Sequence, residues 1–202
     1  MNNVGKSWTE QQEELLLLLK EAQSDLLTFC QLLDSKFEVA WFHEVIADKL
    51  QSAIHRVMED KGKARIILTI PPRHGKSTLA SQYFPAWSLG KYPDIQFILS
   101  TYGSDLSEKM GLKTRDIIST DKYQAIFPGT ELRPDVKAKA RWMTKTGGTY
   151  TAVGTTSAVT GTGGNFVLLD DPHKDRAEAE SPTMRETVWG YYKDTLYTRL
   201  EG

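Results

Sequence analysis

The sequence predicts an α/β fold in which a mainly parallel sheet is flanked by helices. Three observations carry that reading. Short runs of apolar and β-branched residues at 66–70, 95–100 and 166–169 have strand length, and helix-length amphipathic stretches separate them. The first run ends in a turn marked by Pro71, Pro72 and Gly75, and passes directly into a helix that opens near Ser77 and Thr78. The third run ends in two carboxylates, Asp170 and Asp171, with Pro172 stopping further strand pairing. Strands alternating with helices imply parallel neighbours joined by helical crossovers.

In chain order, residues 1–60 read as a helical appendage and residues 61–202 as the core. Ser7 or Thr9 suits the cap of a first helix, with Leu15–Leu19, Leu26, Leu27, Leu32 and Leu33 as its apolar positions. Asp34, Ser35 and Lys36 break the pattern. A second helix then runs from about Phe42 to Met58, with Val45, Ile46, Leu50, Ile54 and Val57 on one stripe. Trp41, Phe42 and His43 at its start read either as a hydrophobic anchor or as a cluster facing a nucleotide base, with Trp41 and His43 in contact with it.

After the glycine turn, residues 79–89 complete a helix, residues 95–100 form a buried strand, and an amphipathic helix ends near Ser119. Residues 122–129 read as a short helix and turn. The stretch 133–145 is the most basic of the chain, with Arg133, Lys137, Lys139, Arg141 and Lys145 against Asp135 alone. It is either a solvated charged face or a nucleic-acid edge. Residues 147–154 alternate like a strand, residues 155–164 are a Thr-, Ser- and Gly-rich loop, and residues 176–200 return to helical spacing.

The strand–turn–helix with Gly75, Lys76, Ser77 and Thr78 at the junction has the layout of a phosphate-binding P-loop. Backbone N–H groups at a helix start face phosphates, where the helix dipole favours negative charge. Pro72, Arg73, His74, Gly75, Lys76, Ser77 and Thr78 are therefore the expected nucleotide-binding residues. Lys76 would reach the terminal phosphates of ATP, and the Ser77 hydroxyl would ligate Mg²⁺. The usual first glycine is absent, since Ile70 stands there; Pro71 and Pro72 fix the backbone instead. Taken alone, the segment also fits an ordinary strand-to-helix turn with Arg73 and Lys76 exposed. The acid pair adds what such a loop needs: Asp170 to hold the metal and Asp171 to orient and deprotonate the attacking water. A metal cluster of Asp170, Asp171, His173 and Asp175 is the nuclease-like alternative, without a further acidic strand end to complete it.

Composition narrows the partners. Across 202 residues the net charge is −1, so any DNA contact must come from a local patch rather than a global field. Cys30 is the only cysteine, which excludes an internal disulfide. The longest apolar run, Leu15–Leu19, is far too short to span a bilayer, so a soluble protein without membrane contact is expected.

Several segments together resemble the ATPase region of the large terminase subunit of tailed bacteriophages. They are Pro71–Thr78, Ser100–Leu106, Arg115–Ile118, Phe127–Gly129, Thr160–Gly161, Leu169–Lys174, Ser181–Pro182 and Thr198–Leu200. The resemblance covers residues from about 40 to 202. It implies a P-loop ATPase fold of the additional-strand type, and ATP hydrolysis that drives double-stranded DNA into a preformed capsid. It also implies a loop arginine at Arg73 that senses the γ-phosphate, and catalysis by Arg73, Lys76 and Asp171. Implied partners are double-stranded DNA, a portal protein and a small terminase subunit, in a homo-oligomeric ring on the capsid, with the isolated chain monomeric. The implied location is the cytoplasm of the infected bacterial host. Relatives carry an arginine in the glycine-rich turn where this chain has Thr162; an intersubunit arginine then comes from elsewhere, Arg141 being one choice, or is absent. Relatives also continue past the Thr-Arg-Leu segment into a coupling strand and a nuclease domain, so a motor domain without its nuclease is expected. The alternatives are a helicase- or recombination-type translocase and a nucleotide-binding assembly module without turnover.

Overall fold

A computed structural model describes residues 8–155, 157, 159 and 161–200. Ser7 and Thr160, both singled out above, lie outside the described residues. The chain opens with three helices, α1 (Trp8–Ser24), α2 (Leu26–Leu33) and α3 (Trp41–Met58). The expected single first helix is split at Asp25, whose extended backbone and side chain cap α2 by accepting from the Thr28 N–H. Only one side of α1 is used. Leu15, Leu16, Leu17 and Leu18 remain exposed, while Ala22, with Leu26, Phe29 and Cys30 of α2, enters the core.

The glycine turn leads into α4 (Lys76–Thr78), a π-helical turn (Leu79–Tyr83) and α5 (Phe84–Lys91), a continuous helical run that is buried from Leu79 to Leu89. Strand β1 (Gln96–Thr101) follows, then α6 (Ser104–Ile118) and α7 (Asp121–Ile126). Next come β2 (Leu132–Lys137), β3 (Arg141–Thr144), β4 (Thr149–Gly154) and β5 (Phe166–Leu169). Helices α8 (Arg176–Glu180) and α9 (Pro182–Tyr191), a π-helical turn (Tyr192–Leu196) and a 3₁₀ turn (Tyr197–Arg199) complete the described chain.

The five strands lie in the order β2–β3–β4–β1–β5. β1 pairs in parallel with β4 and with β5, as crossover connections require. The β2–β3 and β3–β4 pairs are antiparallel, so the sheet is mixed rather than mainly parallel. The added strands come from the basic stretch, in which charge masked the strand pattern. Trp142 and Thr144 point inward and are buried, while Arg141 is exposed. Arg133, Pro134 and Lys137 are tolerated on β2 because it is an edge strand.

The expected strand at 66–70 does not enter the sheet. Leu68 and Ile70 pack against the core, but Ile67 is 93% exposed, and β5 pairs only with β1 among the described strands. An apolar run can rest one face on a core without joining a hydrogen-bonded ladder. One cluster unites helices and sheet: Leu26, Phe29, Ile46, Leu50 and Ile54 share it with Trp87, Phe97, Trp142 and Tyr150. No helix among the described residues is long and apolar enough to cross a membrane.

Candidate functional site

The carboxyl ends of β1, β4 and β5 all face one way, which follows from their parallel registers. The glycine turn approaches that end. Two residues there adopt left-handed backbone, Arg73 (φ 66°) and Gly75 (φ 75°), and Gly75 is the N-cap of α4. The left-handed φ favours glycine at 75, and a Cβ there would also stand a tight 3.0 Å from the His43 ring nitrogen Nε2.

His43 fixes this loop from the start of α3. Its Nδ1 accepts from the Ala40 N–H at 3.1 Å, which leaves the proton on Nε2 to be donated to the His74 carbonyl, also at 3.1 Å. His74 Nδ1 lies 2.9 Å from the Pro72 carbonyl. His43 is therefore largely buried, with both ring nitrogens engaged by backbone, and it supports the loop while its ring borders the adjoining hollow. Trp41 is 75% exposed and packs edge-on against Phe42. The adjoining hollow of about 430 Å³ is lined by the rings of Phe37, Phe42 and His43, together with Arg73, His74 and Thr78. Phe37 lay upstream of the motif and carried no sequence signal of its own.

A second hollow of about 350 Å³ lies over the loop and is lined by Pro72, Arg73, Gly75, Lys76, Ser77 and Asp171, among others. Lys76 crosses to the end of β5. Its ammonium lies 2.8 Å from Asp171 Oδ1 and 3.1 Å from Asp170 Oδ1, though the residues are 95 and 94 positions apart. Burial works against the ammonium, but hydrogen bonds to Asp171 and Asp170 outweigh it and raise the Lys76 pKa. Lys76 is thus fully charged at neutral pH.

The two carboxylates differ sharply. Asp170 is only 7% exposed, and its second oxygen accepts from the buried Ser81 hydroxyl at 2.9 Å. Asp171 is exposed and sits at φ 43°, a left-handed conformation that costs a non-glycine residue on the order of 1–3 kcal/mol. Ser81 was invisible to motif reasoning. It lies in the π-helical turn after the loop, where its carbonyl accepts from Tyr150 Oη at 3.0 Å while its hydroxyl holds Asp170. Such π turns occur often at functional sites.

The arrangement sets a charged lysine, held by two carboxylates, beside a hollow lined by the loop 70–78. Ser77 and Asp170 supply hard oxygen donors of the kind Mg²⁺ takes, and the Asp170 oxygen on Lys76 would be freed when the lysine turns to an anion. No group of three or more His, Cys, Asp or Glu side chains suited to a metal occurs among the described residues, which disfavours the nuclease-like cluster of Asp170, Asp171, His173 and Asp175.

Comparison with known proteins adds one finding. No individual curated protein matches the chain. Residues 67–201 match the family model of the terminase large subunit, T4-like-virus type, N-terminal region, which takes in the loop, the basic hairpin and both carboxylates. Because that match spans well over half the sequence, the chain belongs to the terminase large subunit family, a membership that points to a role in phage DNA packaging.

Proposed function

We propose that the chain is the ATP-hydrolysing motor region of a DNA-packaging terminase, with a P-loop NTPase core. The observation that supports it best is Lys76 bridging Asp170 and Asp171 beneath a left-handed Gly75 turn. Two signals far apart in sequence meet at one cation, as a phosphate loop and its acidic strand end require.

In this reading the phosphates of ATP lie on the backbone N–H groups at the start of α4, and Lys76 leaves the carboxylates for the terminal phosphates. Arg73, at the loop's other left-handed position, faces the same hollow and contacts the γ-phosphate. The base lies in the hollow beside Phe37 and Phe42. Ser77 and Asp170 would hold Mg²⁺, which would supply charge neutralisation at the phosphates. Asp171, exposed and freed of Lys76, orients the attacking water and takes its proton. Double-stranded DNA is the translocated substrate. A portal protein, a small terminase subunit and further copies of the chain complete the machine inside the infected cell.

The test is steady-state ATP turnover with Mg²⁺, with and without duplex DNA, for the wild type and Lys76→Ala. Wild-type turnover that the variant loses, with an unchanged circular dichroism spectrum, is the expected result. Equal turnover by both would remove the P-loop reading.

A further inference from the structure

We propose that the tip of the β2–β3 hairpin binds the phosphate backbone of double-stranded DNA. The partner is taken from the packaging reading above; the surface itself rests on the distribution of charge. At the base of the hairpin each cation has a partner, Arg133 with Asp135 and Lys145 with Glu131. At the tip the pattern changes. Lys137, Lys139 and Arg141 are exposed, are separated only by Ala138 and Ala140, and have no ion-pair partner among the described residues. Lys109 and Lys113 of α6 are also exposed and unpaired among the described residues, but their spacing sets them on the helix face opposite Gly111 and Arg115, which meet the hairpin. The acids of α6 are Asp105, Glu108 and Asp116, the last 4.0 Å from Arg115. The tip therefore carries bare positive charge on a molecule whose net charge is −1.

The tip and the helix are held together. Arg115 Nη1 donates to the Lys137 carbonyl at 2.8 Å, and Trp142 Nε1 donates to the Gly111 carbonyl at 3.0 Å. Trp142 stacks on Tyr150 at 5.1 Å, and Tyr150 bonds Ser81, the residue that holds Asp170. The register supplies the position. Arg141 pairs with Thr151 on β4, and Ala152 N–H donates to the Ala140 carbonyl, so the tip projects at the carboxyl end of the sheet, the end that carries the loop. A rigid, cation-only tip with small spacers suits a polyanion whose charges are regularly spaced and accessible from outside. The contact is electrostatic and carries no sequence preference.

The experiment measures binding of a fluorescently labelled DNA duplex by anisotropy across a salt series. The proteins are the wild type and a triple variant, Lys137→Gln with Lys139→Gln and Arg141→Gln. Wild-type affinity should fall steeply with salt. The variant should bind roughly ten- to a hundredfold more weakly at low salt, with a log–log slope shallower by about 2–3, since each phosphate contact contributes about 0.9. Its melting temperature should be unchanged, because all three side chains are exposed. Wild-type slope and affinity in the variant would overturn the proposal. So would wild-type protein that ignores duplex DNA but is retained by poly-glutamate, which would assign the tip to an acidic protein. Loss of concentration-dependent turnover in the variant, with DNA binding intact, would instead make the tip a donor to a neighbouring copy. Duplex binding lost with the tip in a chain that shows no ATP turnover would support this surface and sink the motor reading alone.

Discussion

The two flanks of the sheet handle charge in opposite ways. On the β5 flank, Lys76 is ion-paired with both Asp170 and Asp171, and the backbone around them is strained at Arg73 and Asp171. On the β2–β3 flank, no non-glycine residue of the hairpin has positive φ, and the cations at its tip are left bare. The first flank is a closed charge set that a small anion must open, so its energy is stored locally. The second is an open charge set that an extended polyanion can meet without rearrangement. Enclosure suits chemistry, where water must be controlled; exposure suits a grip that must engage and release.

The largest expected effect breaks the first flank. Asp171→Asn should lower ATP turnover by ~10²–10⁴-fold while leaving Mg²⁺-ATP binding in place, because the amide keeps the shape but cannot take a proton. Asparagine also tolerates left-handed backbone, so the fold should be unaffected. Asp170→Asn should differ by weakening metal-dependent nucleotide binding. Single-turnover kinetics with an ATP-binding titration separates the two, and normal turnover in Asp171→Asn would place the catalytic carboxylate elsewhere. Glu178 and Glu180 are weak substitutes, since Glu178 accepts from the Lys174 N–H and Glu180 pairs with Arg176.

An intermediate effect tests the second flank. Trp142 is 0% exposed, stacked on Tyr150 and hydrogen-bonded to Gly111. Trp142→Ala should destabilise the chain by ~3–5 kcal/mol, as removal of a large buried aromatic side chain does. Urea unfolding measures it. A loss below ~1 kcal/mol would mean that the hairpin is not anchored as described.

The smallest effect concerns the segment before the loop. Ile67→Ser should change stability by no more than about 0.5 kcal/mol, because the side chain already faces solvent. The same urea experiment applies, and a cost of several kcal/mol would restore residues 66–70 to a buried strand.

Much of this protein is written locally. The period of the apolar positions places α3 and α6, the apolar runs place β1 and β5, and the alternation at 147–154 places β4. Gly75, Lys76 and the acid pair are legible because each needs a particular residue type: left-handed backbone for the turn, a long cation for the span, and carboxylates at a strand end. Even the absence of a disulfide follows from the single Cys30, which lies buried with its thiol pKa pushed up by desolvation.

Other features depend on partners far away in the chain. Whether 66–70 becomes a strand depends on backbone pairing with a neighbouring edge, which a run of isoleucines cannot specify. The basic stretch becomes a hairpin because β4 offers an edge and Tyr150 offers Trp142 a surface; its charges gave the opposite impression. The roles of His43 and Ser81 emerge only when α3 meets the loop and the π-helical turn meets β5, since a side chain's hydrogen bond is set by what packs against it. Sequence decided which chemistry the chain can hold, through residue types and local periodicity. Tertiary structure decided which residues face one another, because ladder pairing and burial join positions up to about a hundred residues apart whose match no local pattern records.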